Sequence, residues 1–159
     1  MTSVVELLKA KNQTVATAES LTAGLLCATI VDTPGASAVV RGGLIVYATE
    51  LKHELAGVDQ RLLDEHGAVH PEVAIQLAEG AKKRCKSDWG IGLTGVAGPD
   101  PQDGVAPGTV HIGLSGPGVS TVRTITVSGD RRAVRSAAVE KALVLLSDYL
   151  LVTDPGNKR

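Results

Sequence analysis

The stretch TVATAESLTAG, residues 14–24, decides the fold, because it joins an apolar, β-branched run to a run with helical spacing. Residues 14–18 are predicted to form a buried strand, and a helix is predicted over about 21–32, which Pro34 ends. Ser20 lies at the break between the strand and the helix. A serine at such a break is either the N-cap of the helix, a position that serine favours, or a nucleophile.

On both sides of this stretch, helices and strands alternate along the chain. The other predicted elements are a capped helix from Ser3, a strand over 39–47, short helices ending at Gly57 and over about 60–66, a helix from Pro71, a strand within 88–95, a hairpin of 109–114 and 119–129, and a last helix that Asp130 starts. An antiparallel pair after alternating helices and strands indicates an α/β fold. We therefore expect a single three-layer α/β/α domain with a mixed, mostly parallel sheet, a core over 3–151 and a tail over 152–159.

Composition narrows the possible functions. The chain has 159 residues, 43% of them hydrophobic, with no Phe and one Trp, so the core is expected to be aliphatic. A net charge of -1 provides no basic field for nucleic acid. The two cysteines, Cys27 and Cys85, lack metal-ligand spacing, and no metal site or cofactor is predicted. Three features favour a cytoplasmic protein away from membranes. The cysteines are expected to be reduced, the start lacks the layout of a signal peptide, and no apolar run approaches the ~20 residues of a membrane span.

Ser20 is expected at the carboxyl end of a strand, where ligands of α/β sheets collect. Unpaired N–H groups at the start of the next helix would stabilise a negative charge developing beside it. A serine nucleophile needs a base, and no histidine stands in an obvious triad context. The segment HGAVH, 66–70, has two histidines four positions apart. Gly67 within it and Pro71 after it argue against a continuous helix that presents both histidines to a metal, so a loop and a helix cap are favoured over a metal site.

Lys52 is the more interesting candidate base, because a lysine shielded from water can lose its proton near neutral pH. It follows Tyr47, at the end of the strand predicted over 39–47. A neutral amine can accept the proton of a serine hydroxyl. The alternatives are a solvated helix lysine for Lys52 and an ordinary strand aromatic for Tyr47.

Two further segments offer weaker signals for anion binding. The loop over 95–108 is rich in glycine and proline and can present N–H groups to phosphates or carboxylates, although an ordinary connection fits equally well. Asp130 is expected to cap the last helix, where Arg131, Arg132 and Arg135 either hold a phosphate or face water.

Several stretches taken together resemble the CinA C-terminal domain family over residues 3–151: TVATAESLTAGLL, GGLIVYATELKHELAGV, HGAVHPEVAIQLAEGA, GIGLTGVAGPD, PGTVHIGL and SGDRRAVR. Stand-alone members of this family are known as nicotinamide mononucleotide amidohydrolases, which convert the carboxamide of the nucleotide to a carboxylate and release ammonia. The resemblance therefore implies a small-molecule nucleotide substrate, no cofactor and a homo-oligomer.

The resemblance also implies roles for individual residues. The family's catalytic serine matches Ser20, its tyrosine and lysine match Tyr47 and Lys52, and the remaining expected contacts to substrate are Glu19, Thr22, Ala23, Gly24, Glu50, Thr94, Gly95, Gly98 and Thr109, with Arg131 or Arg132. In the implied mechanism Lys52 deprotonates Ser20, which forms an acyl-enzyme while N–H groups near Thr22, Ala23 and Gly24 hold the oxyanion.

Three positions depart from the family pattern. Ala23 stands in place of a glycine, His70 in place of a serine, and VAPGTV, 105–110, lacks a lysine that is common in the family. The last departure leaves open a hydrolase of another amide or ester. The family's association with competence and DNA-damage responses leaves open a non-catalytic nucleotide-binding or interaction module.

Overall fold

The computed structural model describes residues 2–152, so most of the predicted tail over 152–159 lies outside the described residues. Its helices are α1 (Val4–Lys11), α2 (Leu25–Val31), α3 (Thr49–Glu54), α4 (Gln60–His66), α5 (Pro71–Cys85) and α6 (Arg131–Val152). Its strands are β1 (Val15–Glu19), β2 (Val40–Ile45), β3 (Trp89–Gly95), β4 (Thr109–Gly116) and β5 (Val119–Thr126). Each predicted strand and helix is present, and Val152, which we assigned to the tail, belongs to α6.

The five strands form one mixed sheet in the order β2-β1-β3-β4-β5. β1 pairs in parallel with both neighbours, so that Ala18 lies opposite Leu44 on one side and Gly92 on the other. β4 is antiparallel to β3 and to β5. The predicted mixed sheet is confirmed. Because β2, β1 and β3 are parallel, the segments that follow them emerge at the same sheet edge.

Helices cover both faces of the sheet, which confirms the three-layer architecture. The larger core packs α1, α2 and α6 on one face, against Trp89, Ile91, Leu93 and the apolar residues of β4. The smaller core lies on the other face, where α3, α4 and α5 pack on Ala16 and Ala18. Both cores are largely aliphatic, as the composition predicts.

Glycines let α5 approach the sheet closely. A Cβ on Gly92 or Gly113 would overlap the carbonyl oxygen of Ala74, and one on Gly90 would overlap that of Ala78. Side chains at these three positions would hold the helix away from the strands. α5 begins at Pro71 as predicted, and the N–H of its next residue donates to Nδ1 of His70 (3.1 Å), which confirms the cap interpretation of HGAVH.

Candidate active site

A cavity of about 450 Å³ lies at the edge of the sheet where β1, β2 and β3 end. It is lined by the residues that follow these strands, by the α4–α5 connection and by the first residue of α6: Ser20, Leu21, Tyr47, Ala68, Val69, Thr94, Gly95, Val96, Ala97, Gly98, Pro99, Asp100, Pro101, Gln102 and Arg131. Cavities of a few hundred Å³ at this edge of an α/β sheet are typical ligand sites.

Ser20 lies at the end of β1 and lines the cavity with 8% of its surface exposed. Its backbone N–H donates to the carbonyl of Leu93 on β3 (3.0 Å). The helix that we predicted from about residue 21 begins only at Leu25, because Ala23 (φ 49°) and Gly24 (φ 97°) are left-handed. Ser20 is therefore not the N-cap of α2, and that interpretation is wrong.

The buried carboxylate of Glu19 performs the capping of α2 instead. Its Oε1 accepts the N–H of Leu26 (2.8 Å), and its Oε2 accepts the N–H of Cys27 (3.0 Å) and the hydroxyl of Thr17 (3.0 Å). A carboxylate at a helix N-terminus is stabilised by the unpaired amides and by the helix dipole. Glu19, which we predicted to contact substrate, is thus bonded to the scaffold and is absent from the cavity lining.

Between Ser20 and α2 lies the turn of residues 21–24. Its internal bonds run from the N–H of Ala23 to the carbonyl of Ser20 (3.0 Å) and from Leu25 to Thr22 (2.9 Å). Within residues 2–152, the N–H groups of Leu21, Thr22 and Gly24 have no acceptor. Of the three amides proposed for an oxyanion, the one at Ala23 is thus already bonded, whereas those of Thr22 and Gly24 are available.

Lys52 lies in α3 and is only 1% exposed, so the solvated-lysine alternative is wrong. Its Nζ donates to the carbonyls of Val46 (2.8 Å) and Tyr47 (3.2 Å). Burial lowers the pKa of the Lys52 amine from 10.5 to about 8, and the carboxylate of Glu50 acts in the opposite direction. Burial disfavours an ammonium ion because the ion loses its hydration.

Lys52 is connected to the segment of Ser20 through the end of β2. The N–H of Val46 donates to the carbonyl of Glu19, the residue before Ser20, at 2.9 Å. Among residues 2–152, no hydrogen bond joins Ser20 to Lys52 directly. A neutral amine has two N–H bonds and one lone pair, so donation to two carbonyls leaves the lone pair as its remaining hydrogen-bonding group.

Tyr47 stands at the rim of the cavity, 58% exposed, and is not an interior strand aromatic. Its hydroxyl accepts a hydrogen bond from Nη2 of Arg131 (2.9 Å). Nη1 of Arg131 donates to the carbonyl of Gly98 (2.7 Å). Arg131 therefore connects Tyr47, the second residue after β2, to the loop after β3. Its helix is capped as predicted, with Asp130 accepting the N–H of Ala133 (2.9 Å).

Thr94 and the glycines of the β3 loop form the opposite wall of the cavity. The buried hydroxyl of Thr94 donates to the carbonyl of Ala68 (2.7 Å), which ties the α4–α5 connection to the end of β3. The backbone of Thr109 bonds to that of Val96 (2.9 Å), so Thr109 supports the loop without lining the cavity.

The cavity brings together part of the predicted site. Six predicted residues line it: Ser20, Tyr47, Thr94, Gly95, Gly98 and Arg131. The predicted residues that do not line it are Lys52, Glu19, Thr22, Ala23, Gly24, Glu50, Thr109 and Arg132. Glu50 is exposed, and Arg132 lines a second depression, whose other residues are Leu25, Arg131, Arg135 and Ser136.

Sequence reasoning did not find two contributors to the site. The α4–α5 connection lines the cavity with Ala68 and Val69, which carry no distinctive chemistry. For Arg135, the sequence left two possibilities open, a contact to phosphate or exposure to water. In the structure it donates from Nε to the carbonyl of Leu21 (2.8 Å) and from Nη2 to that of Thr22 (3.2 Å). Its spacing of four from Arg131 places both on one helix face, which is the signal that was present.

Within residues 2–152, no three or more His, Cys, Asp or Glu side chains form a group that could hold a metal ion. No helix in the same part of the chain is both long and apolar enough to span a membrane.

The sequence-family model of the CinA C-terminal domain matches residues 1–150 of this chain. The chain belongs to the CinA C-terminal domain family. A CinA-like protein of Frankia casuarinae is 46% identical over 147 residues, which is 92% of this chain and 34% of that protein. The chain thus spans about a third of this curated relative.

Solved structures of the same superfamily share the fold. A CinA superfamily protein from Klebsiella pneumoniae superposes with a TM-score of 0.90 at 28% identity, covering 94% of each chain. A competence or damage-inducible protein from Enterobacter asburiae has a TM-score of 0.87 at 29% identity, covering 94% of this chain and 99% of that one.

Proposed function

We propose that this protein is an amidohydrolase that converts nicotinamide mononucleotide to nicotinate mononucleotide and ammonia, with Ser20 as nucleophile and Lys52 as base. One observation carries the proposal, the position and the pKa of Lys52. Burial lowers the pKa of its amine to about 8, and the amine donates to the carbonyl of Val46. The N–H of Val46 in turn bonds to Glu19, the residue before Ser20, which lines the cavity. Perturbed titratable groups beside a cavity are characteristic of catalytic sites.

The first step is removal of the Ser20 proton. With a pKa of about 8, about a tenth of the Lys52 amine is neutral at pH 7, compared with less than about a thousandth at its ordinary value of 10.5. The lone pair of the neutral amine accepts the hydroxyl proton as Oγ attacks the carboxamide carbon. General-base assistance of this kind accelerates a reaction by about 100- to 10,000-fold.

Attack converts the carboxamide oxygen to an oxyanion, which needs hydrogen-bond donors. We assign this role to the N–H of Leu21, which follows Ser20, lines the cavity and has no acceptor within residues 2–152. Losing one such donor typically raises the barrier by about 3–4 kcal/mol.

Collapse of the tetrahedral intermediate breaks the carbon–nitrogen bond. The Lys52 ammonium returns its proton to the departing nitrogen, so that ammonia leaves and an ester to Ser20 remains. Water then attacks this ester and gives a proton to Lys52. The carbon–oxygen bond to Ser20 breaks, the serine recovers its proton and the carboxylic acid is released.

The cavity has dimensions suited to a mononucleotide. Its volume of about 450 Å³ lies within the range of small-molecule sites, and Thr94, Gly95 and Arg131 offer polar contacts along its walls. We assign the ribose phosphate to the side of Arg131, because a guanidinium favours phosphate oxygens.

The test measures ammonia released from nicotinamide mononucleotide by wild type, Ser20→Ala and Lys52→Met. We expect wild type to release one ammonia for each nicotinate mononucleotide that it forms. The turnover rate should fall by at least about 1,000-fold in Ser20→Ala and by about 100- to 10,000-fold in Lys52→Met. Ser120→Ala, an exposed serine on β5, is the matched control and should keep full activity. Folded Ser20→Ala or Lys52→Met protein with wild-type turnover would refute the mechanism.

A hydrolase of a different amide is the second candidate, and the bonds of Arg131 favour it. Both of its Nη atoms already donate, to Gly98 and Tyr47, and Val105 stands where the resemblance expects a lysine. Comparison of the mononucleotide with nicotinamide riboside separates the two candidates. A kcat/KM at least tenfold higher for the mononucleotide supports the nucleotide as substrate, whereas equal values support a different amide.

A non-catalytic binding module is distinguished by calorimetry on the same samples. It predicts that the mononucleotide binds without ammonia release and that binding survives Lys52→Met. The amidase predicts turnover whenever binding is observed in wild type.

A further inference from the structure

We propose that Arg135 is a positioning residue for the amidase: its guanidinium fixes the turn of residues 21–24, in which Leu21 supplies the oxyanion donor. This inference rests on the proposed function. It assigns to the second turn of α6 a part in catalysis that does not involve contact with substrate.

The contacts of Arg135 are directed at the backbone of this turn. Nε donates to the carbonyl of Leu21 (2.8 Å) and Nη2 to the carbonyl of Thr22 (3.2 Å), so that one planar group holds two consecutive peptide oxygens. The guanidinium is half-buried, where a charged donor strengthens its hydrogen bonds. Consecutive carbonyls held by one rigid fork cannot rotate independently.

The turn has two backbone hydrogen bonds of its own, from Ala23 to Ser20 and from Leu25 to Thr22, and neither of them holds the carbonyl of Leu21. Ala23 (φ 49°) and Gly24 (φ 97°) are left-handed, and the regular bonds of α2 begin only after them. Thr22 is fully buried, yet its Oγ1 has no hydrogen-bond partner among the described residues. The side chain of Thr22 therefore does not anchor the turn by hydrogen bonding, whereas the carbonyls of Leu21 and Thr22 are anchored by Arg135.

The same bonds hold the residue whose amide faces the site. Leu21 lines the cavity and its N–H has no acceptor within residues 2–152, whereas Thr22 is fully buried and does not line the cavity. Because Nε of Arg135 holds the carbonyl of the same residue, rotation of Leu21 away from the cavity is restrained.

The geometry also separates Arg135 from its neighbour on the same helix. Arg131, one turn earlier, lines the cavity and bonds to Tyr47 and Gly98, whereas Arg135 does not line it. Loss of Arg135 should therefore affect the chemical step more than binding of substrate.

The experiment compares wild type, Arg135→Ala and Arg135→Lys with Lys141→Ala, which removes an exposed cation from the same helix. We expect kcat of Arg135→Ala to fall by about 10- to 100-fold, somewhat less than for loss of a direct oxyanion donor, with KM changed less than about threefold. Arg135→Lys should recover only part of kcat, and added methylguanidinium at millimolar concentration should raise kcat of Arg135→Ala. Lys141→Ala should match wild type.

Amide hydrogen exchange provides a readout that does not depend on turnover. Exchange at the hydrogen-bonded amides of the turn, those of Ala23 and Leu25, should be faster in Arg135→Ala than in wild type or Lys141→Ala, while β3 should exchange as in wild type. Unchanged exchange in the turn, or a kcat equal to that of wild type, would overturn the inference, as would a fall in kcat explained entirely by a smaller folded fraction. If wild type releases no ammonia, the proposed function fails, and the exchange measurement still decides whether Arg135 holds the turn.

Discussion

Burial changes the chemistry of Lys52 at the scale of one residue. A helix lysine in water keeps its proton until far above neutral pH, whereas the 1% exposed Lys52 has a pKa lowered to about 8. The two carbonyls that accept from its amine fix its position. In the proposed mechanism, this shift lets Lys52 act as a base near physiological pH.

The pH dependence of catalysis follows from this shift. Because the proposed mechanism uses the neutral amine, kcat/KM should rise about tenfold per pH unit below about 8 and level off above it. Glu50→Gln should move the midpoint to lower pH, since the carboxylate of Glu50 raises the pKa of Lys52. The measurement is a pH–rate profile of both proteins; a midpoint near 6.5 would point to a histidine base instead.

Ala23 carries a conformational cost that a glycine would avoid. Its φ of 49° is left-handed, a region that costs a residue with a Cβ about 1–2 kcal/mol. Ala23→Gly removes this cost, but the greater freedom of glycine in the unfolded chain offsets part of the gain in folding free energy. The variant should therefore be more stable than wild type by about 0.5–1 kcal/mol. Ala28→Gly, exposed inside α2, should instead destabilise it by about 1 kcal/mol. Urea unfolding of both variants measures the difference, and a loss of stability in Ala23→Gly would contradict the assignment of strain.

At the scale of elements, α2 depends on a residue from the preceding strand. Glu19 on β1 accepts two first-turn amides of α2, those of Leu26 and Cys27, so the strand and the helix are joined by a buried charge-assisted contact. The turn with Ser20 lies between these two anchored ends.

Glu19→Gln should therefore destabilise the protein by about 2–3 kcal/mol, because an amide nitrogen replaces one of the accepting oxygens. Glu6→Gln, which alters the exposed capping box of α1, should cost less than about 1 kcal/mol. Denaturant unfolding gives both values, and similar losses for the two variants would show that the contact of Glu19 is not special.

The approach of α5 to the sheet predicts another element-scale effect. A Cβ on Gly92 would overlap the backbone of Ala74, which cannot move without displacing α5, so Gly92→Ala should cost at least about 3 kcal/mol. Gly118→Ala, in the open β4–β5 turn at φ 68°, should cost only about 1–2 kcal/mol. Thermal unfolding compares the two; equal shifts would contradict the packing argument.

At the scale of the whole molecule, two hydrophobic cores share one sheet. Trp89, the single tryptophan, is buried in the larger core, while its neighbours on β3, Gly90 and Gly92, contact α5 on the other face. Neither core can therefore open without exposing strands on which the other depends.

Unfolding should accordingly be a single cooperative transition. Fluorescence of Trp89 reports on the larger core and far-UV circular dichroism on all the helices, and their urea curves should coincide. Separate midpoints would show that the two cores unfold independently. The homo-oligomer implied by the family resemblance stays a prediction, which sedimentation equilibrium measures directly.

Local patterns predicted most of the elements because their signals are carried by adjacent residues. Pro71 begins α5, Asp130 caps α6 and the pair Ser3–Glu6 caps α1, as expected. The start of α2 was misplaced because its cap comes from the side chain of Glu19 and because a left-handed alanine has no local sequence signal. The candidate site shows the same division: the motif around Ser20 is local in the sequence, whereas the carbonyls that accept from Arg135 lie more than a hundred positions away in the chain.

The sequence by itself determined the order of helices and strands, the aliphatic core, the family and the candidacy of Ser20 and Lys52. These properties depend on composition, short-range periodicity and motif spacing, which are complete in the chain before it folds. Only the tertiary structure decided that Lys52 is buried, that Glu19 caps α2 and that Arg135 donates hydrogen bonds to the backbone of the turn after Ser20. Desolvation and long-range hydrogen bonds exist only once distant segments pack together, because they depend on what surrounds a residue in space.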